Sequence, residues 1–127
     1  MFHLDSFWYR AKSAIPDEPG VFFDESLLVW IQSEPRDKED RLKVERKMYK
    51  NIKWLAKKND LSTIILHSFA HLGEKKSAAV FAEGLISELA ERFDKSEFTV
   101  HIVPFGMFNE FRMHVKGPSL AKVFKKI

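Results

Sequence analysis

The chain predicts an α/β fold of the α+β kind: one layered domain in which a mixed, mostly antiparallel five-stranded sheet is backed by helices. Three observations predict it. Short runs of alternating apolar and polar residues recur near both ends, two longer stretches carry apolar residues at helical spacing, and a compact apolar run, Ile64-Ile65-Leu66, lies between those stretches. The order is strand, strand, helix, strand, helix, strand, strand, helix, over residues 1–127, with no repeat, low-complexity tract or linker.

Residues 2–10 mix aromatics with polar residues and read as the first strand, closed by the turn cluster Pro16, Asp17, Glu18, Pro19 and Gly20. Over 21–32, Val21, Phe23, Leu27, Val29 and Ile31 keep one alternation, which predicts a long strand pairing back on the first. Beyond a break at 33–36 the period changes, and Val44, Met48, Ile52 and Leu55 recur at helical spacing, flanked by Leu42 and Tyr49. Asp37, Glu39 and Asp40 suit the positive end of a helix dipole, so a helix is expected over 37–58, ending near Asn59-Asp60.

The stretch 61–72, LSTIILHSFAHL, reads as a buried strand running into a polar end. Ala78, Phe81, Ala82, Leu85, Leu89 and Phe93 then mark an amphipathic helix over 74–93; Gly84 inside it points to close packing of helix on sheet, since glycine costs about 1 kcal/mol relative to alanine there. Phe98, Val100 and Ile102 alternate with Thr99 and His101. After the turn Pro104-Phe105-Gly106, Phe111, Met113 and Val115 alternate with Arg112 and His114, predicting a fifth strand antiparallel to the fourth. Gly117-Pro118 opens a final short helix with Leu120, Val123, Phe124 and Ile127 on its apolar face.

A chain of 127 residues forms one domain with a substantial core, and its 12 phenylalanines predict aromatic packing within it. The absence of cysteine excludes disulfides and thiolate zinc sites and fits a reducing, cytoplasmic compartment. No apolar run nears the roughly 20 residues of a membrane helix, and MFHLDSFWYR lacks the pattern of a signal peptide. A net charge of +3 permits contact with nucleic acid without requiring it.

Ligands of sheets with helical crossovers gather at the carboxyl ends of strands, which makes His71 the first candidate site residue. Its imidazole could orient an ester or polarise water near neutral pH; from position alone, a hydrogen-bonded structural histidine is the plainer reading. His67 and His71 have the i, i+4 spacing of helical metal ligands, but on a strand they would stand about 13 Å apart. No cysteine or carboxylate cluster accompanies them, so neither a metal nor another cofactor is expected.

Two separated blocks match a known family. Ser68-Phe69-Ala70-His71-Leu72 resembles the "PFAHL" or "PYAHL" strand end in the amino-terminal editing domain of archaeal threonyl-tRNA synthetases. Pro104-Phe105-Gly106-Met107-Phe108-Asn109, continuing to Lys116-Gly117 and Leu120-Ala121, resembles that family's "PFGYYK…CKGHPLAE" block, and His3-Leu4-Asp5 looks like its "HSD". The resemblance implies a fold like that of the D-aminoacyl-tRNA deacylases and hydrolysis of a mischarged amino acid, typically serine, from the 3′ end of threonine tRNA. It also implies a pocket rich in backbone contacts, with a bound water and the terminal ribose hydroxyl doing much of the chemistry. A free-standing protein and an excised domain would both look like this.

On that resemblance His71 and Asn109 are the catalytic candidates, Asn109 standing where the family has lysine. Phe69, Ala70, Gly106, Phe108, Glu110 and Lys116 would bind substrate, and Lys75, Lys76 and Lys122 would bind tRNA. Phe108 replaces the family's tyrosine, Pro118 its histidine and Lys122 its glutamate; Glu110 and Arg112 are new charges beside Asn109. The plainer readings are an exposed hairpin start for Asn109 and Glu110, and a turn requirement for Gly106. The basic residues of the first helix are expected to form a solvated face with Asp37, Glu39, Asp40 and Glu45 as acid partners. The implied partners are tRNA, a threonyl-tRNA synthetase and, through an exposed strand edge, a second copy; no membrane is implied. The alternatives are a tRNA- or synthetase-binding module without catalysis, or a deacylase of changed, D-amino acid specificity.

Overall fold

The computed structural model describes residues 1–11, 20–31, 41–68, 76–103 and 109–124, with backbone alone for 11, 76–82 and 109. Its sheet turns on β1 (Phe2–Ala11), which pairs antiparallel along one edge with β2 (Val21–Phe23) and β3 (Ser26–Ile31). β6 (Asn109–Val115) lies antiparallel along the other edge, from Leu4 opposite Val115 to Ala11 opposite Asn109. β3, β4 (Thr63–Ser68) and β5 (Thr99–Ile102) are parallel neighbours, which makes the six-stranded sheet mixed.

Aromatic alternation along β1 is interrupted once, and the interruption shapes the sheet. Against β6 the register slips between Leu4 and Ser6. Before the slip Phe2 and Leu4 face inward; after it Phe7 and Tyr9 do, all into one apolar cluster with Leu28, Ile65 and Val103. A bulge of this kind bends and twists its strand. The sheet curls on itself, so that Tyr9 reaches His101 on β5 and Phe111 on β6 reaches Trp30 on β3. The single long strand expected over 21–32 is present as pairing but broken at the bend Asp24-Glu25. Leu4 opposite Ser26 and Phe7 opposite Phe23 belong to one register.

The unbroken apolar run of β4 follows from its position, since a strand covered on both faces needs apolar residues throughout. Ile64 and Leu66 join Leu27, Val29 and Ile31 beneath the helices, while Ile65 joins Leu28 on the other side. α1 (Arg41–Lys58) and α2 (Lys76–Asp94) cover the first face with Ile52, Leu55, Ala56, Leu85, Ile86, Leu89 and Phe93. α1 ends as expected at Asn59-Asp60. Asp60 takes a left-handed φ of 54°, and the amides of Asp60 and Leu61 bond back to the carbonyls of Lys57 (3.1 Å) and Ala56 (2.7 Å). Aspartate tolerates this conformation, usually glycine's, and the two bonds satisfy carbonyls at the helix end. The acidic turn expected over 37–40 lies outside the described residues.

Four expectations need correction. First, β6 does not pair with β5: alternation identifies a half-buried strand but not its neighbour. β1 offers the better match, with Phe7 beside Phe111, Arg10 bound to Glu110 and Arg112 over Trp8. Second, the final helix is a single 3-10 turn, Ser119–Ala121. Lys122 is extended and bridges Phe2, and the Val123 amide donates to the Met1 carbonyl at 3.0 Å, so pairing with β1 replaces helical bonds.

Third, Gly84 does not serve helix-on-sheet packing. A Cβ there would lie 2.8 Å from a guanidinium nitrogen of Arg41, which crosses from α1 to pair with Glu88 at 2.9 Å. Fourth, Glu45 is no partner for surface lysines, being 5% exposed and bound to Arg92 at 3.0 Å. Burial, with the hydrogen bond its protonated form donates to the Glu88 carboxylate, raises its carboxyl above the usual range against the pull of Arg92. No helix among the described residues is long and apolar enough to cross a membrane.

Candidate active site at the ends of beta3 and beta4

Parallel pairing sets the carboxyl ends of β3 and β4 side by side, with Trp30 next to His67 and Ile31 next to Ser68. Alternation turns Trp30 and His67 away from the helices, toward β6 curling over them. Phe111 of β6 closes this corner, its ring 6.3 Å from Trp30 and 5.9 Å, edge-on, from His67. His67 and Ser68 are buried, whereas Trp30 and Phe111 are each about a third exposed. The corner is therefore apolar, walled by aromatic rings and open to solvent on one side. Such a place suits a small organic group held against a few polar atoms.

A second imidazole, half-buried, lies on the same face. The Tyr9 hydroxyl and His101 Nε2 are 2.6 Å apart, and the Phe23 ring lies tilted beside the imidazole at 4.8 Å. Burial lowers the His101 pKa and raises that of Tyr9, so at neutral pH both are uncharged and the phenol can donate to an unprotonated ring nitrogen. Because folding favours neutral His101, its contribution to stability is present above its ordinary value of 6.5 and is lost as pH falls from there through the lowered folded value. The stability advantage of wild type over His101→Gln, read from urea midpoints, is expected to shrink between pH 7.5 and 5.5. An advantage that grows on acidification would overturn this assignment.

A polar cluster forms where β1 begins and β6 ends. Glu25, in the bend between β2 and β3, accepts from Lys116 Nζ at 3.1 Å and lies 2.7 Å from His3 Nε2. The His3 hydrogen bond first, then Lys116, holds the Glu25 carboxyl below the usual range. Phe2, next to His3 in β1 but turned to the other face, sets its ring edge-on to Trp30 at 4.8 Å.

The whole chain, residues 1–127, matches the family model of the archaea-specific editing domain of threonyl-tRNA synthetase. The chain belongs to that editing-domain family. It is similar to the threonine–tRNA ligase of Hyperthermus butylicus, 28% identical over 134 residues, covering 97% of this chain and 21% of that protein. The ligases of Methanobrevibacter smithii and Thermococcus onnurineus are 26% and 28% identical over 100% of the chain, each match covering 22% of the ligase. The chain thus spans about a fifth of the length of these relatives.

Within this editing domain the predicted site residues fall into three groups. Phe69, Ala70, His71, Lys75, Gly106 and Phe108 lie outside the described residues, as do the side chains of Lys76 and Asn109. In sequence His71 follows the last residue of β4 by three positions, and Asn109 opens β6 two residues before Phe111. Lys116 and Lys122 are brought together, with Lys122 Nζ donating to the carbonyls of Lys116 (3.1 Å) and Gly117 (3.2 Å). Glu110 stands apart on the outer face of β6, bound to Arg10.

Trp30, His101, Tyr9 and Glu25 were not singled out as site residues, and His67 only as a metal ligand. Contacts such as Tyr9 to His101 span 92 positions, and only the curl of the sheet creates them. Glu25 had a signal, being the second of two adjacent acidic residues inside an otherwise apolar strand pattern. Among the described residues no three histidine or acidic side chains converge as metal ligands would. An open groove of about 330 Å³, lined by Lys57, Asp60, Leu61, Ser62, Glu97 and Phe98, lies at the opposite, amino-terminal ends of β4 and β5.

Proposed function

We propose that this domain hydrolyses a wrongly attached amino acid, serine first, from the 3′ end of threonine tRNA in the cytoplasm, within or beside a threonyl-tRNA synthetase. The observation that carries the reading is a coincidence of place. The aromatic corner of Trp30, His67 and Phe111 stands where β4 ends, and the Ser68-Phe69-Ala70-His71 block of the editing family starts at that end. An amino acid ester has the size and mixed polarity such a corner accepts. His71 would orient the ester, the backbone around Phe69, Ala70 and Gly106 would shape the pocket, and Asn109 would hold the attacking water. Lys75 and Lys76 would meet tRNA phosphates. Hydrolysing an activated ester asks for positioning and for stabilisation of the oxyanion, which such groups can supply without a metal or organic cofactor. The curled mixed sheet with helices on one face accords with a fold like that of the D-aminoacyl-tRNA deacylases, whose members also cleave such esters.

One observation favours a second reading, a module that binds tRNA or a synthetase without catalysis. Lys122, where the family block carries glutamate, is engaged with the carbonyls of Lys116 and Gly117 and serves the turn. The deciding experiment presents threonine tRNA charged with L-serine, L-threonine or a D-amino acid to the folded domain. Release of serine and retention of threonine is the expected result. Release of the D-amino acid alone would keep the enzyme and change its substrate. No hydrolysis of any ester, by wild type or by Asn109→Lys, would leave the binding module.

A further inference from the structure

We propose that the outward face of α1 is a docking surface for the phosphate backbone of RNA; its assignment to the tRNA whose 3′ end the site takes rests on the reading above. At helical spacing, Lys43, Arg46, Lys47, Lys50, Lys53, Lys57 and Lys58 share the arc opposite buried Ile52, Leu55 and Ala56. The remaining member of that arc is Trp54, 52% exposed, with Lys50, Lys57 and Lys58 at i−4, i+3 and i+4. The arc spans about 22 Å at a rise of about 1.5 Å per residue.

Neutralisation by the described residues does not account for this face. The one carboxylate on α1, Glu45, is buried against Arg92. Of the seven cations, Lys57 has an exposed partner, Glu97, at 3.4 Å, and Lys53 lies over the Tyr49 ring at 5.6 Å. Among the described residues Lys43, Arg46, Lys47, Lys50 and Lys58 have no carboxylate partner. Five cations in one stripe with no carboxylate partner among the described residues repel each other and attract a polyanion. An exposed indole among them adds a platform on which a base or ribose can stack, the combination single-stranded and flexible RNA segments use.

A second copy of the chain fits less well. The outward described residues of α2, Glu83, Ser87, Glu91 and Asp94, supply negative charge but no apolar seat for Trp54. The direction of α1 also suits RNA. The helix ends just before β4 begins, and β4 runs back alongside it toward Ser68, so the Lys43 end is the one nearer the candidate site. A stem lying along the stripe with its acceptor end at Lys43 would bring its 3′ end toward that end of the sheet.

The test is anisotropy of fluorescent threonine tRNA across a potassium chloride series, with wild type, Lys50→Gln, Trp54→Ala and the triple variant Lys43→Glu, Lys47→Glu, Lys50→Glu. The triple variant is expected to bind at least about tenfold more weakly, with a log–log salt slope shallower by about one per lysine removed. Lys50→Gln, safe for folding at an exposed site, should flatten the slope by about one, and Trp54→Ala should weaken binding several-fold at unchanged slope. Seryl-adenosine, an ester with no stem, should be cleaved by the triple variant at the wild-type rate. Unchanged tRNA affinity and slope in folded variants would overturn the proposal. So would an acidic peptide competing as well as RNA, or loss of a wild-type dimer in the triple variant, since these assign the face to protein. If wild type cleaves no ester but the lysine variants still lose tRNA, the hydrolytic reading falls and the docking face stands.

Discussion

Replacing Phe93 with alanine is expected to cost about 3–5 kcal/mol of folding stability, the range for removing a fully buried aromatic ring. Phe93 is wholly buried on α2, with its ring 4.8 Å from Tyr49 of α1 and 5.7 Å, edge-on, from Phe98 at the start of β5. One side chain therefore ties both helices to the parallel half of the sheet, and no neighbour can fill its volume without dragging an element with it. Domains of this size hold about 5–15 kcal/mol in total, so the variant should be partly unfolded near physiological temperature. Urea unfolding of the variant beside Phe124→Ala makes the comparison internal. Phe124 is 88% exposed, and its loss should change stability by less than about 0.5 kcal/mol. Equal effects at the two positions would mean that the packing around Phe93 is not what closes this core.

His71→Ala is expected to lower kcat/KM for seryl-tRNA by about 100-fold or more, the usual loss when a positioned acid–base or orienting group is removed. The urea midpoint should stay within the error of wild type. A loss of turnover accompanied by a comparable loss of stability would assign His71 to the fold instead of the chemistry. Full activity in a stable variant would move the search to the imidazoles already placed on the inner face, His67 and His101. Asn109→Lys, which supplies the lysine of the motif that this stretch resembles, completes the set. A gain in serine release from that variant would show that the wild-type asparagine tunes an active site.

Much of the fold was legible because its rules are local. The apolar run of β4, the helical spacing in α1 and α2, and the stop at Asn59-Asp60 each follow from a few adjacent residues. Partner choice was not local. The alternation of β6 is equally compatible with β5 or β1, and the choice fell to ring and charge matching along β1, more than 90 positions away. The odd-numbered apolar residues of 21–32 read as one face, yet Phe23 packs with Phe7 while Leu27, Val29 and Ile31 pack under the helices. The bend at Asp24-Glu25, opposite the bulge in β1, separates them. The final helix failed for the same kind of reason: its apolar spacing was real, but backbone bonds to Met1 and Phe2 were available and claimed the chain.

The same division runs through the site. By itself the sequence determined the family, because short blocks keep their identity wherever the chain places them. It also determined that α1 is basic. Only the tertiary structure decided that Glu45 turns inward to Arg92, away from the lysines of α1, that Lys116 meets Glu25 and His3, and that Trp30, His67 and Phe111 share one corner. The last of these depends on how far a sheet curls. The curl is set by a bulge whose effect is felt only once distant strands are packed against each other.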